Sequence, residues 1–141
     1  MNTNNPSVDV GYLVVKVSTA RGAIPLENAS VSIRAEEGEN TGILYSLTTN
    51  SDGATERVSL PAPSRASSES PGNIKPYATY SIDVFKEGYL PLAFRGVPVF
   101  SSILSIQPAV MIPSPDGTRD DRFPPTPGNA TVIEEEPYGD L

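Results

Sequence analysis

Pro76-Tyr77-Ala78-Thr79-Tyr80-Ser81-Ile82-Asp83-Val84-Phe85-Lys86-Glu87-Gly88-Tyr89-Leu90-Pro91 is the longest run of β-forming residues in the chain, opened by one proline and closed at a Gly-Tyr corner. Tyr80, Ile82 and Val84 share one face, and Thr79, Ser81 and Asp83 share the other. A period of two marks a strand with one buried face. The rest of the chain is read for the partners of this strand.

Upstream, residues 11–19 alternate, with Leu13, Val15 and Val17 on one face and Lys16 and Ser18 on the other. Residues 21–27 form a connection in which Ile24 and Leu26 are expected to tuck beneath the sheet. Residues 29–35 set Ala29, Val31, Ile33 and Ala35 against Ser30, Ser32 and Arg34. Two further strands are expected over 43–49 and 54–60. Asn50-Ser51-Asp52-Gly53 lies between them and holds the residue types that accept a left-handed backbone, so the pair reads as a hairpin. Residues 61–75 read as a long Pro- and Ser-rich loop, of a length that usually signals function or disorder.

Downstream, Leu90, Leu92 and Phe94 share a face, and Val97-Pro98-Val99-Phe100 reads as an edge piece because proline cannot donate to a central ladder. Leu104, Ile106, Val110 and Ile112 are expected to make the last strand, with Pro108 at an edge or bulge. No segment keeps an apolar period of 3.6 for three turns. The expected fold is all-β, a seven-stranded Greek-key β-sandwich over residues 10–113. A small barrel is the other architecture this pattern allows. Residues 1–9 are expected to fray. Residues 114–141 are Pro-rich and acidic, bury too little to offset ordering entropy, and are expected to be disordered.

At 141 residues there is room for one domain of ordinary size. The chain has no cysteine and no histidine, which excludes disulfides, thiolate nucleophiles, imidazole bases and Cys- or His-ligated zinc. Net charge is −7, and most of it falls after residue 113, where seven acids face two arginines. The body holds ten acids and eight bases, so no basic patch for nucleic acid is visible. The first residues lack the basic and apolar regions of a signal peptide, and no apolar run nears the ~20 residues of a membrane span.

Several motifs favour plain readings. Residues 50–53 resemble the middle of a calcium loop, but the end positions would be Thr48 and Ser59, so the turn reading stands. Asn28-Ala29-Ser30 and Asn129-Ala130-Thr131 match the glycan acceptor pattern by coincidence, since no export signal accompanies them. Phe123-Pro124-Pro125-Thr126-Pro127-Gly128 has the wrong spacing for a sortase signal. Lys16 lies opposite the core row, which argues for a solvated lysine over an isopeptide donor. The paired carboxylates, Glu36-Glu37 and Glu134-Glu135-Glu136, fall in segments unable to hold a catalytic spacing.

Other stretches carry a resemblance. Ala23-Ile24-Pro25-Leu26-Glu27-Asn28-Ala29-Ser30-Val31 and Thr48-Thr49-Asn50-Ser51-Asp52-Gly53 are similar to the opening and turn of the carboxypeptidase-regulatory-like (transthyretin-like, prealbumin-type) β-sandwich. Leu60-Pro61-Ala62-Pro63 and Pro76-Tyr77-Ala78-Thr79-Tyr80 resemble the N-terminal module of clostridial spore cortex-lytic enzymes and related short firmicute proteins. In larger members the module precedes a catalytic or peptidoglycan-binding region. The resemblance covers about residues 9–113, implies an accessory role, and transfers no catalytic residue.

The expected function is therefore a non-enzymatic interaction module beside the cell wall or spore cortex of a firmicute. The alternative is a structural spore or envelope component assembling through strand edges. Candidate binding residues are Pro61, Pro63, Tyr77, Tyr80 and Tyr89, the tyrosines as an aromatic strip, though tyrosine is also a common core and corner residue. The partner is expected to be a protein or a cell-wall polymer. No metal or cofactor is expected. The compartment is left open between cytoplasmic and spore-associated.

Overall fold

Alternation in the first apolar stretch carries the architecture. In the computed structural model, which describes residues 8–38, 42–64, 76–115 and 131–134, Leu13, Val15 and Val17 point inward from β1 (Val8–Thr19) and are completely buried. The other strands are β2 (Ile24–Pro25), β3 (Ser30–Ala35), β4 (Ile43–Thr48), β5 (Val58–Pro63), β6 (Tyr77–Phe85), β7 (Leu92–Phe100), β8 (Leu104–Val110) and β9 (Thr131–Glu134). No α-helix occurs among the described residues.

The strands form two sheets. In the first, β1 is central. One of its edges pairs antiparallel with β5 and then β2, and the other pairs parallel with β8, from Tyr12 opposite Leu104 to Ser18 opposite Val110. The second sheet runs β4-β3-β6-β7-β9, antiparallel except for the parallel β7–β9 pair. The seven principal strands, β1 and β3 to β8, make the expected all-β two-sheet sandwich, and β2 and β9 are short additions. Val31, Ile33, Leu60, Ile82, Val84, Phe94, Val97 and Val99 meet the β1 row between the sheets.

Several expectations need correction. β1 begins at Val8, because β5 extends its pairing to Pro63, so residues 8 and 9 belong to the strand. Residues 50–53 do make a tight turn, in which Asn50 Oδ1 accepts from the backbone N–H groups of Asp52 and Ala54. It is not a hairpin turn, however: β4 pairs with β3 while β5 pairs with β1. The chain crosses between sheets here because Gly53 C=O accepts from Val17 N–H at 2.7 Å and Thr55 N–H donates to Val15 C=O at 3.0 Å. Leu26 is buried as expected, whereas Ile24 is exposed on β2. Pro61 and Pro63 are strand residues, and residues 65–75 of the expected loop lie outside the described residues.

The two pieces read at 90–94 and 97–100 are one strand broken by a bulge. Gly96 has φ 70°, and the β6–β7 register shifts between Tyr80 and Ile82. The bulge moves the buried parity from Leu92 and Phe94 to Val97 and Val99. The expected disorder of 116–130 and 135–141 lies outside the described residues, while Thr131–Glu134 runs parallel to Leu92–Arg95.

β8 is the last main strand, as expected, and it turns its apolar residues outward. Its inward residue is Ala109, followed by Met111, and the apolar row Leu104, Ile106, Val110 and Ile112 faces outward. Parallel pairing with β1 sets this parity. Tyr12, Val14, Lys16 and Ser18 point out, so their partners Leu104, Ile106, Pro108 and Val110 point out with them.

Candidate functional site

The residues read as a binding set divide between the two ends of the sandwich. Pro61 and Pro63 pair with Val10 and Val8, and Tyr77 pairs with Phe100, its ring centroid 5.6 Å from that of Phe100. Hydrogen bonds from Ser102 N–H to Val10 C=O and from Ser101 Oγ to Asp9 Oδ2 close this end. Tyr80 is only 3% exposed and donates its hydroxyl to Pro61 C=O at 2.6 Å. Burial, aided by the Glu37 charge, pushes its phenol up to about 12. Tyr89 sits beyond the far end of β6, bridged to Pro113 and packed against the core. With ~3.3 Å per strand residue, Tyr80 and Tyr89 lie too far apart to share a ligand. Four of the five residues therefore gather at one end, and Tyr80 spends its polar atom inside the fold.

A polar cleft of about 350 Å³ opens on the outer face of the second sheet, lined by Arg34, Ala35, Glu36, Ser81 and Arg95. Glu36 Oε2 accepts from Ser81 Oγ at 2.7 Å and from Gly96 N–H at 2.8 Å. Burial pushes the Glu36 carboxyl up. The Gly96 N–H, the Ser81 and Thr79 hydroxyls and the Arg95 charge together outweigh it and hold the group below the ordinary glutamate range. Arg34 pairs with Asp83 at 2.9 Å. The carboxylate thus satisfies the amide that the Gly96 bulge turns out of the ladder, a fixing role. Nothing in the sequence announces this cluster, because residues 36, 81 and 96 meet only when β3, β6 and β7 align.

The open side of the sandwich has a different character. A groove of about 370 Å³ runs between β7 and β8, with Leu13 as its floor, Val97, Pro98 and Phe100 on one wall and Ile106 and Gln107 on the other. No lining residue is charged. Beside it, the outer face of β8 presents Leu104 (47% exposed), Ile106 (56%) and Val110 (42%), continued by Ile112. Arg57 lies over the Tyr12 ring at 4.7 Å and marks a cationic rim on the same face. Regular alternation marks this row as one face of a strand and leaves open which face that is. Pro108 was the remaining signal of an edge.

Among the described residues no group of three or more Asp or Glu side chains is placed to hold a metal ion, and no helix is long and apolar enough to cross a membrane.

No family model matches this chain, and no curated protein matches it. Solved structures do. The minor pilin GBS52 of Streptococcus agalactiae is similar over 81% of this chain and 49% of its own, at 15% identity and a TM-score of 0.54. Catechol 1,2-dioxygenase from Acinetobacter sp. ADP1 is similar over 94% of this chain and 60% of its own, at 13% identity and 0.56. Chlorocatechol 1,2-dioxygenase from Pseudomonas putida is similar over 78% and 62%, at 15% and 0.50. This chain spans about half to three-fifths of those proteins. At such identities the likeness is one of β-sandwich fold alone.

Proposed function

We propose that this chain is a non-enzymatic accessory module of the carboxypeptidase-regulatory-like kind, working beside a cell wall or spore cortex and docking through the open β8 side. The observation that carries this reading is the uncharged aliphatic row Leu104, Ile106, Val110 and Ile112 on an edge strand. Isolated surface leucines and isoleucines are ordinary, but a contiguous row beside an apolar groove marks an interaction surface. Covering each half-exposed aliphatic side chain stabilises a complex by roughly 1 kcal/mol.

The chemistry of that surface favours a protein partner over a glycan. Sugars are held by hydrogen bonds and aromatic faces, whereas this row offers aliphatic carbon and strand backbone. The tyrosines expected to form an aromatic strip are divided between the two ends. The fold shared with a Gram-positive minor pilin agrees with a surface role.

Co-sedimentation tests the reading, using walls from vegetative cells and spores, either stripped to peptidoglycan or retaining their proteins. Saturable binding to protein-bearing walls, lost in Ile106→Lys and kept in Tyr77→Ala, is expected. Binding that ignores Ile106→Lys, or no binding to any preparation, overturns it.

A further inference from the structure

We infer that a second copy of this chain covers β8, the two molecules joining edge to edge with β8 antiparallel to β8 about a two-fold axis at Gln107. The inference rests on the reading of β8 as an interaction surface and names its occupant.

Two hydrogen bonds fix which backbone groups of β8 are free. Tyr12 N–H donates to Ile103 C=O at 3.0 Å, and Met111 N–H donates to Ser18 C=O at 2.7 Å. In a parallel ladder the residues bonded to the neighbour alternate with residues turned away. Odd-numbered residues from 103 to 111 therefore face β1. The N–H and C=O groups of Leu104, Ile106 and Val110, with the carbonyl of Pro108, face the open edge.

That pattern is self-complementary about Gln107, the midpoint of Leu104–Val110. In this register Leu104 N–H meets the copy's Val110 C=O, Ile106 N–H meets Pro108 C=O, and Val110 N–H meets Leu104 C=O. Every outward donor of the strand finds an acceptor. The N–H that proline lacks falls opposite Ile106 C=O, so the cost is one acceptor left to water in each copy. Gln107 Nε2 already donates to Pro108 C=O at 3.0 Å, and a carbonyl has a second lone pair for the incoming amide.

Side chains agree with the backbone. Residues opposite each other share a face, so Leu104 lies against Val110 and Ile106 against Pro108, giving one continuous apolar strip across the axis. β8 carries no charged residue, although strand edges are commonly guarded by lysine or other charges. A copy with a net charge of −7 therefore meets its twin along a neutral seam. A patch of ~300–600 Å² per copy is at or below the ~800 Å² per partner of a standard interface. The dimer is accordingly weak, with dissociation in the micromolar range or above.

The chain has no cysteine, so a single substitution gives a clean reporter. Across a non-hydrogen-bonded antiparallel pair the Cα atoms are ~4.5 Å apart, within disulfide reach. Gln107→Cys is expected to cross-link to itself under mild oxidation. Leu104→Cys, ~20 Å from its twin in this register, is expected to form no disulfide between copies. Sedimentation equilibrium up to ~1 mM should show a monomer–dimer equilibrium, at least tenfold weaker in Ile106→Pro. That variant removes an outward N–H and the Ile106 side chain from the seam, and takes no hydrogen-bond donor from the β1 ladder. Circular dichroism of each variant checks its fold. A strict monomer at ~1 mM, a dimer indifferent to Ile106→Pro, or equal cross-linking at 104 and 107 overturns the inference. A monomer whose wall binding is still lost in Ile106→Lys overturns the dimer while leaving the docking surface in place.

Discussion

Glu36 shows how much one side chain organises. It follows β3, reaches across β6 to Ser81, and ends on the Gly96 amide of β7, tying three strands together at the bulge. The sequence places Glu36 in a segment unable to hold a catalytic spacing, because no local pattern reveals a carboxylate whose partners lie 45 and 60 residues away. Its pH signature follows from the lowered pKa. Unfolded glutamate titrates near ~4.3, so the stabilisation from Glu36 is complete above that value and is lost as pH falls through the lower folded value. Melting temperatures of the wild type and Glu36→Gln are expected to differ at neutral pH and to converge as pH falls below the ordinary glutamate range. A constant gap across that range would remove the carboxylate from the account. Tyr80 teaches the opposite lesson: its β-strand position was legible, but only its neighbours reveal that the hydroxyl is consumed internally by Pro61.

At the scale of elements, the turn at residues 50–53 separates what local chemistry decides from what it leaves open. Asparagine, aspartate and glycine dictate a tight turn, and one forms. Whether the flanking strands then pair depends on what lies beside them, and the β1 backbone captures Gly53 and Thr55. Gly53 has φ 77°, and a Cβ there would collide with Val17 C=O and come within 3.2 Å of Pro25 Cβ. Gly53→Ala combines a left-handed alanine with that collision, so a loss above about 1 kcal/mol is expected, with a melting point several degrees lower in thermal denaturation. An unchanged melting point would mean the crossing is looser than described. The outward face of β8 has the same logic. Alternation shows that Leu104, Ile106 and Val110 share a face, but the face itself is assigned by register against β1.

At the scale of the whole molecule, the first sheet is completed by a parallel β1–β8 pair that joins residues 12–18 to residues 104–110. Closing so long a loop is entropically slow, as in other sandwiches dominated by distant pairings. Stopped-flow refolding followed by tyrosine fluorescence is expected in the millisecond-to-second range, and microsecond folding would contradict this topology. The sandwich, its seven principal strands and most of the inner row were legible in the sequence, because a period of two and Gly/Pro/Asn punctuation are local properties of the chain. The absence of cysteine and histidine likewise bounded the chemistry before any fold was known. Which strands pair, which face of β8 meets water, and which polar groups converge at the Gly96 bulge are relations between distant segments. Only the packed tertiary structure decides them, since burial and hydrogen-bond partners exist only once the two sheets have met.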